Sequence, residues 1–374
     1  MIDLAPEQVR KLRSRAQRLY PRAPRAALTD AVRAVVGVQA QSLPAMMLAL
    51  RARVAGLTPG DVTGAAHDRP DLVRTSLMRG TLHLSAAEDV RWLVPLLGPA
   101  FARAGRRRRL QLGLDDAKAA GGVAEIRALL GEHGPMTRDA LVAALNARGV
   151  ALDRKSQAPI HLIRLAALEG FVCYGPNTAR GEETFALFEA WAGQPTALPE
   201  DAALAELARR YVRGYGPASL PDFAGWSGLG MAAARRAWEA IRSEPDFAGV
   251  QIDGLEMLAP AAALAEVGAP TDSDAAVRLL PAFDAYILGY AERRRLVRPE
   301  RQGEVYHGGQ TVPVVLVDGE AAGVWRYKRQ GKRLTVTVQA FDAFTPEAQR
   351  QVAEEADDIG RFWEVAVSLR IEPQ

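Results

Sequence analysis

The strongest constraint on the fold is a helical pattern that this 374-residue chain carries more than once. One copy reads "EIRALLGEHGPMTRDALVAALNARGVALDRKSQAPIHLIRLAALEGFVCYG". It predicts a helix, a Gly134-Pro135 turn, a second helix capped by Thr137, and a third helix ending at Gly170 before a short apolar strand. A later copy, "ALAELARRYVRGYGPASLPDFAGWSGLGMAAARRAWEAI", repeats the order around Gly216-Pro217, with Ser219 as cap and Pro221 in the first turn. The "AGVQIDG" that follows has a hairpin-turn signal at Asp253-Gly254. Helix, turn, helix, helix and hairpin is the winged-helix order, in which the third helix is the usual groove reader.

The N-terminal segment fits the same template less cleanly. Its helices are "PEQVRKLRSRAQRL", "TDAVRAVVGV" with Thr29 as cap, and "LPAMMLALRARV". "DLVRTSLMRGTLHL" alternates like a hairpin bending near Gly80, and Ser85 with Glu88 has the spacing of a capping box for the next helix. The C-terminal part changes character. "LLPAFDAYILGY", "TVPVVLVDGEAAGVWRYK" and "KRLTVTVQAF" alternate apolar and polar residues, with turns at Asp318-Gly319 and Gln330-Gly331. This predicts a small antiparallel sheet or barrel, with an amphipathic helix over Pro346 to Trp363 covering one face. The expected class is therefore α+β. Modules are expected over 1–105, 122–195 and 199–260, a C-terminal region over 272–374, and linkers near Gly105–Gly122, Gly193–Leu198 and Pro260–Asp272.

Composition narrows the function classes. A chain that is 48% hydrophobic and 24% charged folds rather than staying disordered, and no apolar run approaches the length of a bilayer span. "MIDLAPEQVRKLRSR" has no apolar signal core, so the expected location is the cytoplasm. The single cysteine, Cys173, excludes an internal disulfide and a cysteine-built zinc site. The five histidines have no metal-ligand spacing and there is no phosphate-binding glycine loop, so neither metal nor cofactor is expected. The net charge of +3 comes mostly from arginine, the better phosphate and guanine ligand, although a GC-rich genome also favours arginine.

Within "VVGVQAQSLPAMMLALRARV", Gln39 and Gln41 interrupt two segments that otherwise read as core helix. Glutamine does not ionise, so neither is a strong base or a charged metal ligand. The plain reading is a polar turn between helices.

Four stretches, "VGVQAQ", "LMRGTLHL" (Leu77–Leu84), "LLPAFDAYILGY" (Leu279–Tyr290) and "PVVLVDGEAAGVWR" (Pro313–Arg326), together resemble the AlkZ/AlkX-type DNA glycosylases of the winged helix DNA-binding domain superfamily. The resemblance runs along nearly the whole chain in the same order. It implies three tandem winged-helix modules in a C-shaped arrangement with a C-terminal antiparallel β-barrel, and excision of alkylated bases, including bulky adducts and interstrand crosslinks. It also implies that Gln39 and Gln41 form the catalytic Gln-apolar-Gln motif. An acid at the second position marks the branch that unhooks simpler crosslinks, so Gln41 places this chain nearer the AlkZ-like branch.

The chemistry of the residues agrees. An N7- or N3-alkylated purine is already cationic, so its departure needs no general acid, and the sugar passes through an oxocarbenium-like state. Two amides at i and i+2 can share one water only where the backbone is extended, so the helix must end near Val38. With no lysine near the motif for a Schiff base, a monofunctional enzyme is expected.

The expected DNA contacts are Arg79, Thr81 and His83 on the "RGTLH" hairpin, Arg293 and Arg294 after "LGYAE", and Lys328 and Arg329 by the Gln330-Gly331 turn. His83 is expected to titrate near neutral pH. Arg106 to Arg109 read equally as phosphate contacts or as a solvated face, and Asp284 reads as structural before catalytic. The expected partner is double-stranded DNA containing alkylated purines, bound by a monomer. The rival reading is a non-catalytic winged-helix regulator, which would have no need of both amides. A protein that sequesters a genotoxin is the third.

Overall fold

The structure is a computed structural model that describes residues 2–196, 198–265, 267 and 276–372. These pack as two units, one of Thr63–Ala203 and one of Met1–Val62 with Leu204–Gln374. Among the described residues no helix is long and apolar enough to cross a membrane.

The Thr63–Ala203 unit begins with the expected hairpin. Strands Leu72–Ser76 and Leu82–Ala86 pair antiparallel with Thr75 opposite His83, and the bend places Arg79 at φ 55° and Gly80 at φ 65°. The following helix, Ala87–Ala104, has Ala86 at its N-cap position, and Ala86 offers no side-chain cap. Ser85 itself still belongs to the strand, opposite Val73. Within this helix Gly98 meets the end of the helix Ala158–Leu168, and a Cβ there would lie 1.9 Å from the Leu168 carbonyl oxygen.

The segment expected to be a linker, Gly105 to Gly122, is helical instead. It forms Arg106–Gln111 and the first turns of Asp116–His133, the latter capped by Asp115. Its alanines and arginines are good helix formers, and that propensity wins over the glycines. Next come the short strand Met136–Thr137, the helix Arg138–Ala147 capped by Thr137 as expected, the helix Ala158–Leu168, and strands Val172–Tyr174 and Thr184–Leu187. The last strand lies between the other two in a three-stranded sheet. Leu129, Leu130, Leu141, Leu145, Leu162 and Ile163 form the core beneath it.

In the other unit, helix Pro6–Ala16 packs its Val9 and Leu12 against Val250, Ile252 and Met257 of the hairpin Phe247–Ile252 and Leu255–Pro260. Asp253 (φ 49°) and Gly254 (φ 76°) make the turn, both left-handed as a tight two-residue hairpin requires. Upstream, Ser219 and Asp222 cap Leu220–Ser227 reciprocally, and Met231–Ile241 follows. Thr29, by contrast, is not a cap. A 3-10 turn over Arg25–Ala27 leads straight into Leu28–Ala34, so the helix starts one residue before Thr29.

The C-terminal region is an open sheet rather than the expected barrel. Its order is Val277–Leu280, Val314–Val317, Glu320–Gln330, Arg333–Ala340 and Ala366–Glu372, with the first and last strands left as edges among the described residues. The helix Pro346–Trp363 covers one face, as expected, and also carries the chain over to a last strand that runs parallel to its neighbour. Burial by this helix of Val352, Ala356, Ile359 and Phe362 takes the place of closure. In the expected linker at Pro260–Asp272, Ala261–Leu264 forms a short helix after the strand ending at Pro260, and 266 and 268–272 lie outside the described residues.

Candidate active site

The helix Leu28–Ala34 stops four residues before Val38, and its arrest is built by tertiary contacts. Val36 takes φ 64°, a left-handed conformation that costs a β-branched residue on the order of 1–3 kcal/mol. The Tyr215 hydroxyl donates to the Val35 carbonyl at 3.0 Å, and Gly214 lets the helix Glu200–Tyr215 approach so closely that a Cβ would lie 2.0 Å from the Ala34 carbonyl. Tyr215 is seated in turn by the "ILGY" residues. Gly289 leaves room for its ring, and the Tyr290 hydroxyl donates to its carbonyl at 3.0 Å.

Beyond this break Val38–Gln39 is extended, and Ser42 then caps the helix Leu43–Arg53, accepting from the Ala45 amide at 3.4 Å. Extended backbone puts alternate residues on opposite sides. Accordingly Ala40 is fully buried, while Gln39 is half-buried and Gln41 exposed on the other side. Gln39 Nε2 donates to Gln41 Oε1 at 2.7 Å. That bond leaves Gln39 Oε1 free to accept a hydrogen and the Gln41 amide nitrogen free to donate one.

The helix that follows the pair is anchored through two buried arginines near its end. Arg53 makes a two-pronged pair with Asp284, Nη1 to Oδ2 at 2.7 Å and Nη2 to Oδ1 at 2.8 Å, all fully buried. Arg51 binds Glu355 at 2.9 Å and Asp358 at 3.0 Å on the C-terminal helix. Burial opposes the Glu355 charge, yet Arg51, Arg22 and Arg278 together hold that carboxyl below the usual carboxylate range. Asp284 also accepts from the Tyr286 amide at 2.8 Å, so both its oxygens are engaged within the fold. Sequence reasoning missed Arg51 and Arg53; the only signal was two charges in a helix otherwise made of core residues.

The other candidate residues separate into distinct settings. His83 is buried, and its Nδ1–H donates to the Thr81 carbonyl at 3.0 Å, which leaves Nε2 as the unprotonated nitrogen. Burial, with the Arg79 charge adding to it, pulls the imidazole down to about 3. The expectation that His83 titrates near neutral pH is therefore corrected: desolvation keeps it neutral. Thr81 is partly exposed, and its hydroxyl donates to the Met78 carbonyl at 3.1 Å.

The Arg293 guanidinium lies 4.0 Å from the centre of the Tyr306 ring, and Arg294 pairs with Glu292 at 3.4 Å; both are exposed. The third arginine of that run, Arg295, is buried between Glu292 and Asp253 and is unavailable to DNA. Lys328 and Arg329 are exposed and, as neighbours on one strand, point to opposite faces of the sheet. In the Arg106–Arg109 run, Arg106 is taken up by Asp116.

A family model described as "DNA glycosylase AlkZ-like" matches residues 32–362. The chain belongs to the AlkZ-like DNA glycosylase family. The curated "Interstrand DNA cross-link repair glycosylase" of Streptomyces sahachiroi is 29% identical over 335 residues, which is 85% of this chain and 86% of that protein. The solved structure of Streptomyces sahachiroi DNA glycosylase AlkZ superposes with a TM-score of 0.80 at 25% identity, covering 99% of this chain and all of that one. The mixed helical and sheet architecture is thus that of AlkZ, and this AlkZ-like chain is a DNA glycosylase.

Proposed function

We propose that this glycosylase hydrolyses the N-glycosidic bond of N7- or N3-alkylated purines in double-stranded DNA, with Gln39 and Gln41 positioning the water and without a lyase step. The observation that carries the reading is the exposed amide pair on one side of an extended segment whose middle residue is buried. The C1′–N bond breaks with its electron pair moving to the purine, which neutralises the positive charge brought by the alkyl group. Gln39 Oε1 accepts a hydrogen from the water and lays its carbonyl dipole toward the developing oxocarbenium ion. The water oxygen bonds C1′ and releases its proton to solvent, leaving an abasic sugar. Neutral bases lack the built-in charge, so an amide pair discriminates against them.

The order of three helices and a hairpin around residues 116–187 and 200–260 supports winged-helix modules. Arg79, Thr81, Arg293, Arg294, Lys328 and Arg329 then serve as DNA contacts, and His83 as a neutral support for Thr81. The relative named for crosslink repair makes interstrand crosslinks a substrate class to test beside simple adducts. We take the protein to act as a monomer in the cytoplasm.

The test is single-turnover abasic-site formation on a duplex carrying one N7-methylguanine. Gln39→Ala should slow excision roughly 10²–10³-fold, by analogy with loss of one positioning or electrostatic group. A variant as fast as the parent protein removes the glutamine mechanism.

A further inference from the structure

Several arginines of the Thr63–Ala203 unit meet a carboxylate: Arg74 with Glu183, Arg106 with Asp116, Arg127 with Glu189, and Arg148 with Glu125 and Glu132. One group differs. Gln157, His161 and Arg164 recur at i, i+4 and i+7 and so form one stripe along the helix Ala158–Leu168 and the residue before it. At one end of the stripe Arg108 Nη2 donates to Gln157 Oε1 at 2.8 Å. At the other, Arg164 Nη2 donates to the Gly80 carbonyl at 2.6 Å, at the hairpin bend that carries Arg79 and Thr81. Arg108 and Arg164 are both exposed, and the hydrogen bonds they make go to neutral oxygens. Neither has a carboxylate within ion-pair distance among the described residues.

The cations crowd one another. Burial first, and then the fields of Arg164, Arg108 and Arg109, hold His161 below the usual imidazole range. Arg164 is itself lowered by burial and by Arg109. The nearest acids lie at the margin, with Asp116 held by Arg106 and Glu169 coupled to Arg109. Like charges gathered without acids on an exposed face are tolerated where an anion completes them.

The geometry points to a phosphodiester-binding site, made by Arg108, His161 and Arg164, that holds the DNA backbone on the flank of the strand at the Arg79–Thr81 bend. From Gln157 to Arg164 the helix advances about 10 Å. A strand advances ~3.4 Å per phosphate along its axis, so the stripe spans about three phosphates. Arg108 and Arg164 neutralise charge and His161 adds a polar contact between them. This assignment rests on the DNA-acting reading above and adds to it a backbone site on a helix that the glutamine chemistry does not use.

The test is fluorescence anisotropy of the full chain with an unmodified duplex over a series of KCl concentrations. Each lost phosphate contact should flatten the log–log salt slope by about 0.9. Arg108→Gln, a change on an exposed helix, should flatten it by about 0.9, and Arg108→Gln with Arg164→Gln by about 1.8. Arg350→Gln removes the same charge from an arginine already paired with Glu347 and Glu354, and should leave the slope unchanged. Slopes of both stripe variants equal to that of the parent, or a loss no larger than that of Arg350→Gln, overturn the site. If the double variant does not fold, Arg108→Gln alone decides. Excision by the unaltered protein reports on the glycosylase reading separately, so excision with unchanged variant slopes rejects only the stripe. A flattened slope without excision rejects only the reaction.

Discussion

His83 allows a stability effect to be worked from its surroundings. Its imidazole is buried and held near 3, against 6.5 for the free group. Above pH 6.5 both the folded and the unfolded chain carry it neutral. As the pH falls below 6.5 the unfolded chain takes up a proton that the folded chain refuses, so stability is lost down to about pH 3 and the loss then stops. One pKa unit corresponds to about 1.4 kcal/mol, so the full window is worth on the order of 5 kcal/mol, of which about 2 kcal/mol falls between pH 7 and pH 5. His83→Asn keeps an N–H donor for the Thr81 carbonyl and cannot titrate. Urea unfolding of the parent protein and of this variant between about pH 7 and pH 5 isolates the term, because His67 and His161, which burial also lowers, cancel in the difference. The parent should lose about 2 kcal/mol more than the variant. Parallel pH dependences mean that His83 is solvated and charged, and they refute both the burial argument and its neutral role beside Thr81. An excision pH profile should likewise show no inflection from His83 near neutrality.

Other perturbations act on the scaffold behind the glutamines. Asp284→Ala strands Arg53 in the interior and should cost about 3–5 kcal/mol in chemical denaturation; excision lost at unchanged stability would instead make Asp284 a catalytic carboxylate. Tyr215→Phe removes the hydroxyl that fixes Val35 and should slow single-turnover excision by up to about tenfold, the equivalent of one hydrogen bond; an unchanged rate detaches this contact from the amide pair. Gly98→Ala forces a methyl onto the Leu168 carbonyl and should lower the thermal midpoint by the equivalent of about 1–3 kcal/mol; a midpoint at or above the parent's contradicts the close approach.

What could be read in advance follows from range. Thr137 and Ser219 cap their helices, and Asp253-Gly254 turns its hairpin, because a cap or a tight turn depends on three or four neighbouring residues. The Gln39–Gln41 geometry was legible to the same extent, since amides at i and i+2 converge once the helix has stopped. Why it stops was not legible. Gly37 is the natural left-handed residue there, yet Val36 takes that conformation under contacts from Gly214 and Tyr215, about 180 residues away. Period-two alternation announced the C-terminal strands but not whether the first and last would pair. "AVSLRIE" followed a helix with no hairpin signal, so it was not foreseen as a parallel edge strand. Asp284 reads as a structural acid, but its partner Arg53 emerges only when the fold brings the two together.

The methyl group of Ala40 has a consequence out of proportion to its size. It is sealed inside while its neighbours on both sides face solvent, so it works like a rivet: neither amide can swing inward unless the methyl is first drawn out. A bulkier residue at this position would have to lift the backbone, shifting both nitrogens and both oxygens together. The spacing of the pair is therefore tied to a side chain sealed in the interior.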